Sequence, residues 1–212
     1  NMSPAISLYP YQKDAVARIL FTPNTLLAHD VGAGKTYVMI AAAMEMRRMG
    51  LSEKNMFVVP NNIVGQWKNI FYAMYPSANI LCVEPKSFTP SKRESLLERI
   101  RDEDFDGIII AYSCFERIPL SKEYYRNQLV YEQELIAEIA GKKNKATSRL
   151  KKKQEAVSKA LSELAVAMDD LYNGVYFDDL GITRLFVDEA HNFKNVPIET
   201  KADKVLGISA SG

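Results

Sequence analysis

Ala28-His29-Asp30-Val31-Gly32-Ala33-Gly34-Lys35-Thr36 is the stretch on which the fold turns. It follows on from the short apolar run Leu26–His29 and leads into Tyr37–Arg48, an Ala- and Met-rich segment with basic residues at its end that reads as a helix. A strand, a glycine-rich turn and a helix start together make a seat for an anion. Gly32 and Gly34 permit backbone angles and a close approach that a side chain would block. The loop Val31, Gly32, Ala33, Gly34 can then aim its N–H groups at nucleotide phosphates, with the Lys35 charge near the β/γ oxygens and the Thr36 hydroxyl available to Mg²⁺. The strict pattern has a glycine where this chain has His29, so the match is to a variant. The core Gly-x-Gly-Lys-Ser/Thr arises by chance in roughly one chain of this size in a hundred, so the strand and helix around it carry the assignment. A dinucleotide-binding fingerprint would need a further glycine at Tyr37.

Far downstream, Leu185-Phe186-Val187 runs into Asp188-Glu189-Ala190-His191. An apolar strand that delivers two carboxylates at its C-terminal end suits the same kind of sheet. Asp188 is placed to hold Mg²⁺ through its water shell, and Glu189 to orient or deprotonate an attacking water. His191 takes a functional reading from the motif; His29 lines the loop. The two motifs, in this order, point to nucleotide binding with Mg²⁺.

Between them, short apolar runs alternate with helical segments: Met56–Pro60, Ile80–Val83 and Gly107–Ala111, with Val205–Ile208 after the second motif. Strands this short, apolar on both faces and separated by helices, predict a parallel α/β sheet. Val157, Leu161, Leu164, Met168 and Leu171 step by four and three, and Leu129, Ile136, Ile139 and Ala140 repeat more weakly. We read 121–173 as an antiparallel helical hairpin inserted into one α/β domain made of 1–120 and 174–212. Lys142 to Lys153 holds six lysines and Arg149 with no acidic residue, a tract suited either to phosphates or to a solvated hairpin tip.

The chain has 212 residues, 27 Lys+Arg against 26 Asp+Glu, and 47% hydrophobic residues. Near-neutrality excludes a polybasic nucleic-acid wrapper, and the apolar content excludes a disordered chain. No run approaches the length of a membrane span. Cys82 and Cys114, each in an apolar run, make neither a disulfide scaffold nor a zinc site, and with no secretory signal the expected setting is cytoplasmic. Trp67 falls in a helical pattern with Ile63, Ile70, Phe71 and Met74, which favours packing over base stacking.

Taken together, these pieces resemble the first RecA-like lobe of a superfamily-two helicase or translocase, nearest to the Swi/Snf-type group with its Asp-Glu-Ala-His box. Leu8-Tyr9-Pro10-Tyr11-Gln12 resembles the adenine-reading segment, which places Gln12 on the base. Val58-Val59-Pro60 with Gln66-Trp67 and Phe71, and Ile108 to Ser113, are similar to the segments that face nucleic acid. Asp188–His191 with Phe193-Lys194-Asn195 is similar to the group's box with its trailing Lys-Asn, and Ser209-Ala210-Ser211 stands at the coupling motif, where Swi/Snf proteins usually carry Gly-Thr-Pro. The resemblance implies ATP and Mg²⁺ as cofactors, DNA as a partner, and a second RecA-like lobe with an arginine finger beyond Gly212. It also implies a parentage among large bacterial or phage proteins that join a helicase to a DNA methyltransferase. On its own the 212-residue fragment is expected to hydrolyse ATP weakly or not at all. Two rival readings remain: an ATPase subunit of a restriction or repair system that acts as a switch, and a non-catalytic interaction platform.

Overall fold

Four of the apolar runs become strands in the computed structural model, which describes residues 2–142, 148–166 and 174–193. They are β1 (Asn55–Val59), β2 (Ile80–Val83), β3 (Gly107–Ala111) and β4 (Arg184–Val187). All pair in parallel, in the order β2-β3-β1-β4. The pattern of burial explains the composition: every residue of β1 and of β3 is buried, so neither strand has a wet face and neither can alternate apolar with polar. The expected α/β class with a central parallel sheet is what the chain adopts.

Helices fill the connections. α1 (Pro10–Phe21) starts with proline at its first turn, where the missing N–H costs nothing, and packs on α2 (Lys35–Arg48). In α2 the run Val38–Ala43 is buried, and its small side chains let the helix lie close to the core. α3 (Val64–Met74), α4 (Pro90–Asp102) and the single turn α5 (Tyr112–Phe115) follow β1, β2 and β3 respectively. Phe57 is the hub of the core: its ring lies 5.5 Å from Trp67, 5.7 Å from Phe71 and 5.1 Å from Phe186. It thereby joins β1 to both α3 and β4.

The register of β4 is fixed at its start. Thr183 Oγ1 accepts from the backbone N–H groups of Glu53 and Lys54 and donates to the Lys54 carbonyl. Val187 then falls opposite Val58, and the Asp188 N–H donates to the Val58 carbonyl at 2.9 Å. A slip of one residue would turn Phe186 away from Phe57 and into solvent.

Residues 121–173 contain two long helices, α6 (Lys122–Lys142) and α7 (Ser148–Val166), which pack on each other. Ile136 and Val157 are buried, and Lys153 pairs with Glu132 at 2.8 Å. Lys151, Lys152 and Lys153 are exposed, while the tract from 143 to 147 lies outside the described residues.

One strand expected from the sequence does not form. Leu26–His29 runs without ladder hydrogen bonds, and Leu26 is 81% exposed. Turn chemistry wins just upstream: Thr22 Oγ1 donates to the Arg18 carbonyl at 2.8 Å, the Thr22 and Thr25 hydroxyls hydrogen-bond, and Pro23-Asn24 lie between them. β4 is therefore an edge among the described residues, and Leu185 is left 45% exposed. The expected strand Val205–Ile208 lies outside the described residues, as do Lys194-Asn195 and Ser209-Ala210-Ser211.

Candidate nucleotide site

The glycine turn is held from one side by α1. Gln12 is buried; its amide Nε2 donates to the Ala33 carbonyl at 3.1 Å, and its Oε1 accepts from the Tyr9 N–H at 2.9 Å. The Tyr11 hydroxyl donates to the same Ala33 carbonyl at 3.1 Å. Because a trans peptide sets C=O and N–H in opposite directions, fixing Ala33 O toward α1 turns the Gly34 N–H away from it. Gly34 is at φ +73°, and a Cβ there would lie 2.5 Å from Gln12 Nε2. Glycine is required at 34 both for its backbone angle and for the space it leaves. Gly34 is also the N-cap of α2, and no side chain caps that helix, so its first N–H groups remain for an anion.

Lys35 donates from Nζ to the carbonyls of His29 at 2.9 Å and Asp30 at 3.2 Å. The cation is thus bound within its own loop. His29 presents its ring edge-on to Tyr11, and its buried Nδ1 has no hydrogen-bond partner. Tyr9 and Tyr11 stack on one another with centroids 5.8 Å apart, and both are exposed beside the loop.

The acidic motif is held by the sheet. Asp188 follows directly on β4. Its Oδ2 accepts from the Trp67 indole N–H at 3.2 Å, its Oδ1 from the Glu189 N–H at 3.0 Å, and its carbonyl from the Tyr112 hydroxyl. Glu189 sits at φ +51°, a left-handed conformation that is uncommon for a residue with a Cβ and concentrates at functional sites. The chain then enters a single 3₁₀ turn, Ala190–Phe193, and His191 Nδ1 comes back to 3.1 Å from Glu189 Oε2.

A cavity of about 730 Å³ gathers the two motifs: Val31 and Lys35 line it together with Asp188, Glu189 and His191. The rest of the cavity runs along Thr22–Leu27 and the open edge of β4. Gln12, Gly32, Ala33, Gly34 and Thr36 are not on this cavity wall; the glycines belong to the turn that Gln12 holds from α1, and Thr36 is in the first turn of α2. Trp67 was legible in the sequence as a packing residue, and it is 1% exposed, which rules out base stacking. Its hydrogen bond to Asp188 was not legible, since 121 positions separate the two.

A family model for a probable helicase domain matches residues 20–212. The chain belongs to that family. Over 103 residues, 49% of its length, this helicase-family chain is 29% identical to the ATP-dependent helicase fft1 of Schizosaccharomyces pombe. Over 119 residues, 53% of its length, it is 27% identical to the mouse SWI/SNF-related matrix-associated actin-dependent regulator of chromatin subfamily A containing DEAD/H box 1, and 26% identical to the human protein of that name. Each alignment covers 11% of the relative, so the chain spans only a small part of the length of these proteins. Among solved structures, the Sulfolobus solfataricus SWI2/SNF2 ATPase core in complex with dsDNA aligns over 53% of this chain and 23% of that one, at 21% identity and a TM-score of 0.43. The helicase-family chain is thus related to ATP-dependent helicases of the SWI/SNF kind. Among its described residues no helix is long and apolar enough to cross a membrane.

Proposed function

We propose that the chain is the RecA-like ATP-binding lobe of an ATP-dependent DNA helicase or translocase, one that hydrolyses ATP to move on DNA together with a second lobe. The observation that carries this reading is the shared cavity: Lys35 from the glycine turn and Asp188, Glu189 and His191 from the end of β4 face one space. That is the C-terminal end of a parallel sheet, where open α/β folds bind their ligands.

The donor set fits Mg²⁺. Asp188 and Glu189 bring hard oxygens to the cavity, Thr36 holds a hydroxyl off its wall in the first turn of α2, and among the described residues no three acids, histidines or cysteines gather into a protein cage. Magnesium in nucleotide sites takes one or two carboxylates and leaves its other positions to phosphates and water. When bound, the ion would neutralise charge on the transferring phosphoryl group. Thr36 and Asp188 are the residues that would hold it. Lys35 exchanges the His29 and Asp30 carbonyls for phosphate oxygens, and the N–H groups of Val31 to Gly34 complete the cradle, that of Ala33 by leaving the Asp30 carbonyl it now donates to. Glu189 takes the proton of the attacking water, with His191 fixing the direction of its carboxylate. Gln12 supports the turn and reaches the adenine by exchanging one of its two present hydrogen bonds. DNA is the track, by kinship with the SWI/SNF-type relatives. An arginine finger contributes about 10³–10⁵ in rate; if the second lobe supplies it, the 212-residue chain alone turns ATP over slowly.

Equilibrium binding of a fluorescent ATP analogue with Mg²⁺ tests the reading. Lys35→Ala should weaken binding at least tenfold, the equivalent of about 1.4 kcal/mol. Equal affinity in the variant would remove Lys35 from the phosphate site and the nucleotide reading with it.

A further inference from the structure

The sheet holds Asp188 from a direction the glycine turn does not touch, and the group that does so is a tryptophan. Trp67 lies in the first turns of α3, directly after β1, and is almost wholly buried. A buried indole N–H needs an acceptor, and here the acceptor is a carboxylate oxygen, Asp188 Oδ2 at 3.2 Å. The ring itself has little freedom. It packs at 5.5 Å on Phe57, which stacks at 5.1 Å on Phe186, two residues before Asp188 on β4. One aromatic column therefore fixes both ends of the hydrogen bond, the indole from α3 and the carboxylate from β4.

The remaining contacts of Asp188 make the role of the indole specific. The backbone is set independently: its N–H donates to the Val58 carbonyl, and its carbonyl accepts from the Tyr112 hydroxyl. Oδ1 is met by the N–H of the very next residue, Glu189, a local contact that leaves the plane of the carboxylate to be set by whatever holds Oδ2. Among the contacts described, only Trp67 does this from a distant element. A carboxylate oxygen has two lone-pair directions, so the indole leaves one on Oδ2, and Asp188 lines the cavity that Lys35 and Glu189 share.

We propose that Trp67 is a positioning residue for the magnesium site: its indole N–H holds the Asp188 carboxylate in the orientation that receives the hydrated cation of Mg-nucleotide. The inference rests on the nucleotide reading above. Partners of a metal-binding carboxylate that do not themselves touch the metal commonly change metal affinity by about 10- to 100-fold when removed. The expected signature is thus a change in the magnesium requirement, with metal-free nucleotide binding left as it was.

Trp67 is the only tryptophan of the chain, which makes the test direct. In the ¹⁵N-labelled 212-residue chain the indole gives one N–H cross-peak. Asp188→Asn should move that peak in the absence of any ligand, and adding ATP with Mg²⁺ to the wild-type chain should move it further than ATP with EDTA. Trp67→Phe keeps an aromatic ring in the column but has no N–H, and half-saturation with Mg²⁺ at fixed fluorescent ATP analogue should rise about tenfold. Because a smaller ring in a filled core can loosen the fold, the same titration is run with β-(3-benzothienyl)alanine at position 67, which keeps the bicyclic shape and replaces N–H by sulfur. It should reproduce the tenfold rise at an unchanged melting temperature. An indole peak indifferent to Asp188→Asn, or a benzothienyl chain that titrates with Mg²⁺ like wild type, overturns the positioning role and leaves the ATP reading standing. A wild-type chain whose nucleotide binding ignores Mg²⁺ overturns both.

Discussion

The two halves of the candidate site are built in opposite ways. The carboxylate half is an extension of the core: Asp188 is bonded to β1, to α3 and to the start of α5, and the aromatic column from Phe186 to Trp67 lies directly beneath it. The phosphate half hangs on a turn that has no strand behind it. Its shape comes from two side chains of α1 on a single carbonyl, and its lysine is bonded to the turn itself. Moving Asp188 means disturbing the packed interior, whereas moving Lys35 breaks two local hydrogen bonds. On the proposed reading, the metal side is preorganised, and the phosphate side is the part that rearranges on nucleotide binding.

The sharpest way to break this contrast is at its packed side. Phe57→Ala removes the ring common to Trp67, Phe71 and Phe186 and should cost about 3–5 kcal/mol of unfolding free energy, measured by urea denaturation. A loss under about 1 kcal/mol would mean that the column does not hold the carboxylate half. On the other side, Gly34→Ala places a methyl group where the backbone is left-handed and Gln12 Nε2 already stands. Left-handed backbone with a Cβ costs about 1–2 kcal/mol, and the displaced glutamine adds to that. The stability change should stay below that of Phe57→Ala, while binding of the ATP analogue falls steeply. If Gly34→Ala bound nucleotide like wild type, the turn would be more tolerant than its geometry implies.

What could be read from the sequence follows the same division. The central strands were legible because burial on both faces writes itself as uninterrupted apolar runs, such as Met56–Val59 and Ile108–Ala111. Asp188–His191 was legible because strand and motif are contiguous in the chain. Leu26–His29 looked like a strand by the same criterion, yet a run of four residues beside a Thr-Pro-Asn-Thr turn has local hydrogen bonds that compete with a sheet edge. Composition could not register that. Contacts of Gln12 with Ala33 and of Trp67 with Asp188 span 21 and 121 positions, and no periodicity encodes them. Gln12 was found only through its resemblance to an adenine-reading segment, and that resemblance said nothing of the turn it braces.

The smallest of these effects is also the one that separates two roles for a single residue. Gln12→Ala removes the donor to the Ala33 carbonyl and the acceptor for the Tyr9 N–H. The carbonyl keeps its bond from Tyr11, so no buried acceptor is left bare, and the loss in stability should be about 1 kcal/mol. Nucleotide choice is the informative readout. A residue that only reads the base would, when removed, weaken ATP and leave GTP as it was, because the loss falls on adenine alone. A residue that braces the phosphate turn would weaken both by the same factor, because Gly34 and Lys35 meet the same phosphates in either nucleotide. Since both ends of the Gln12 amide are engaged on the protein, the common loss should dominate, with ATP and GTP affinities falling together by several-fold and a smaller further loss for ATP. A purely adenine-specific loss would show that the turn stands without α1, and the contrast between a braced loop and a packed strand end would have to be redrawn with Lys35 on the rigid side.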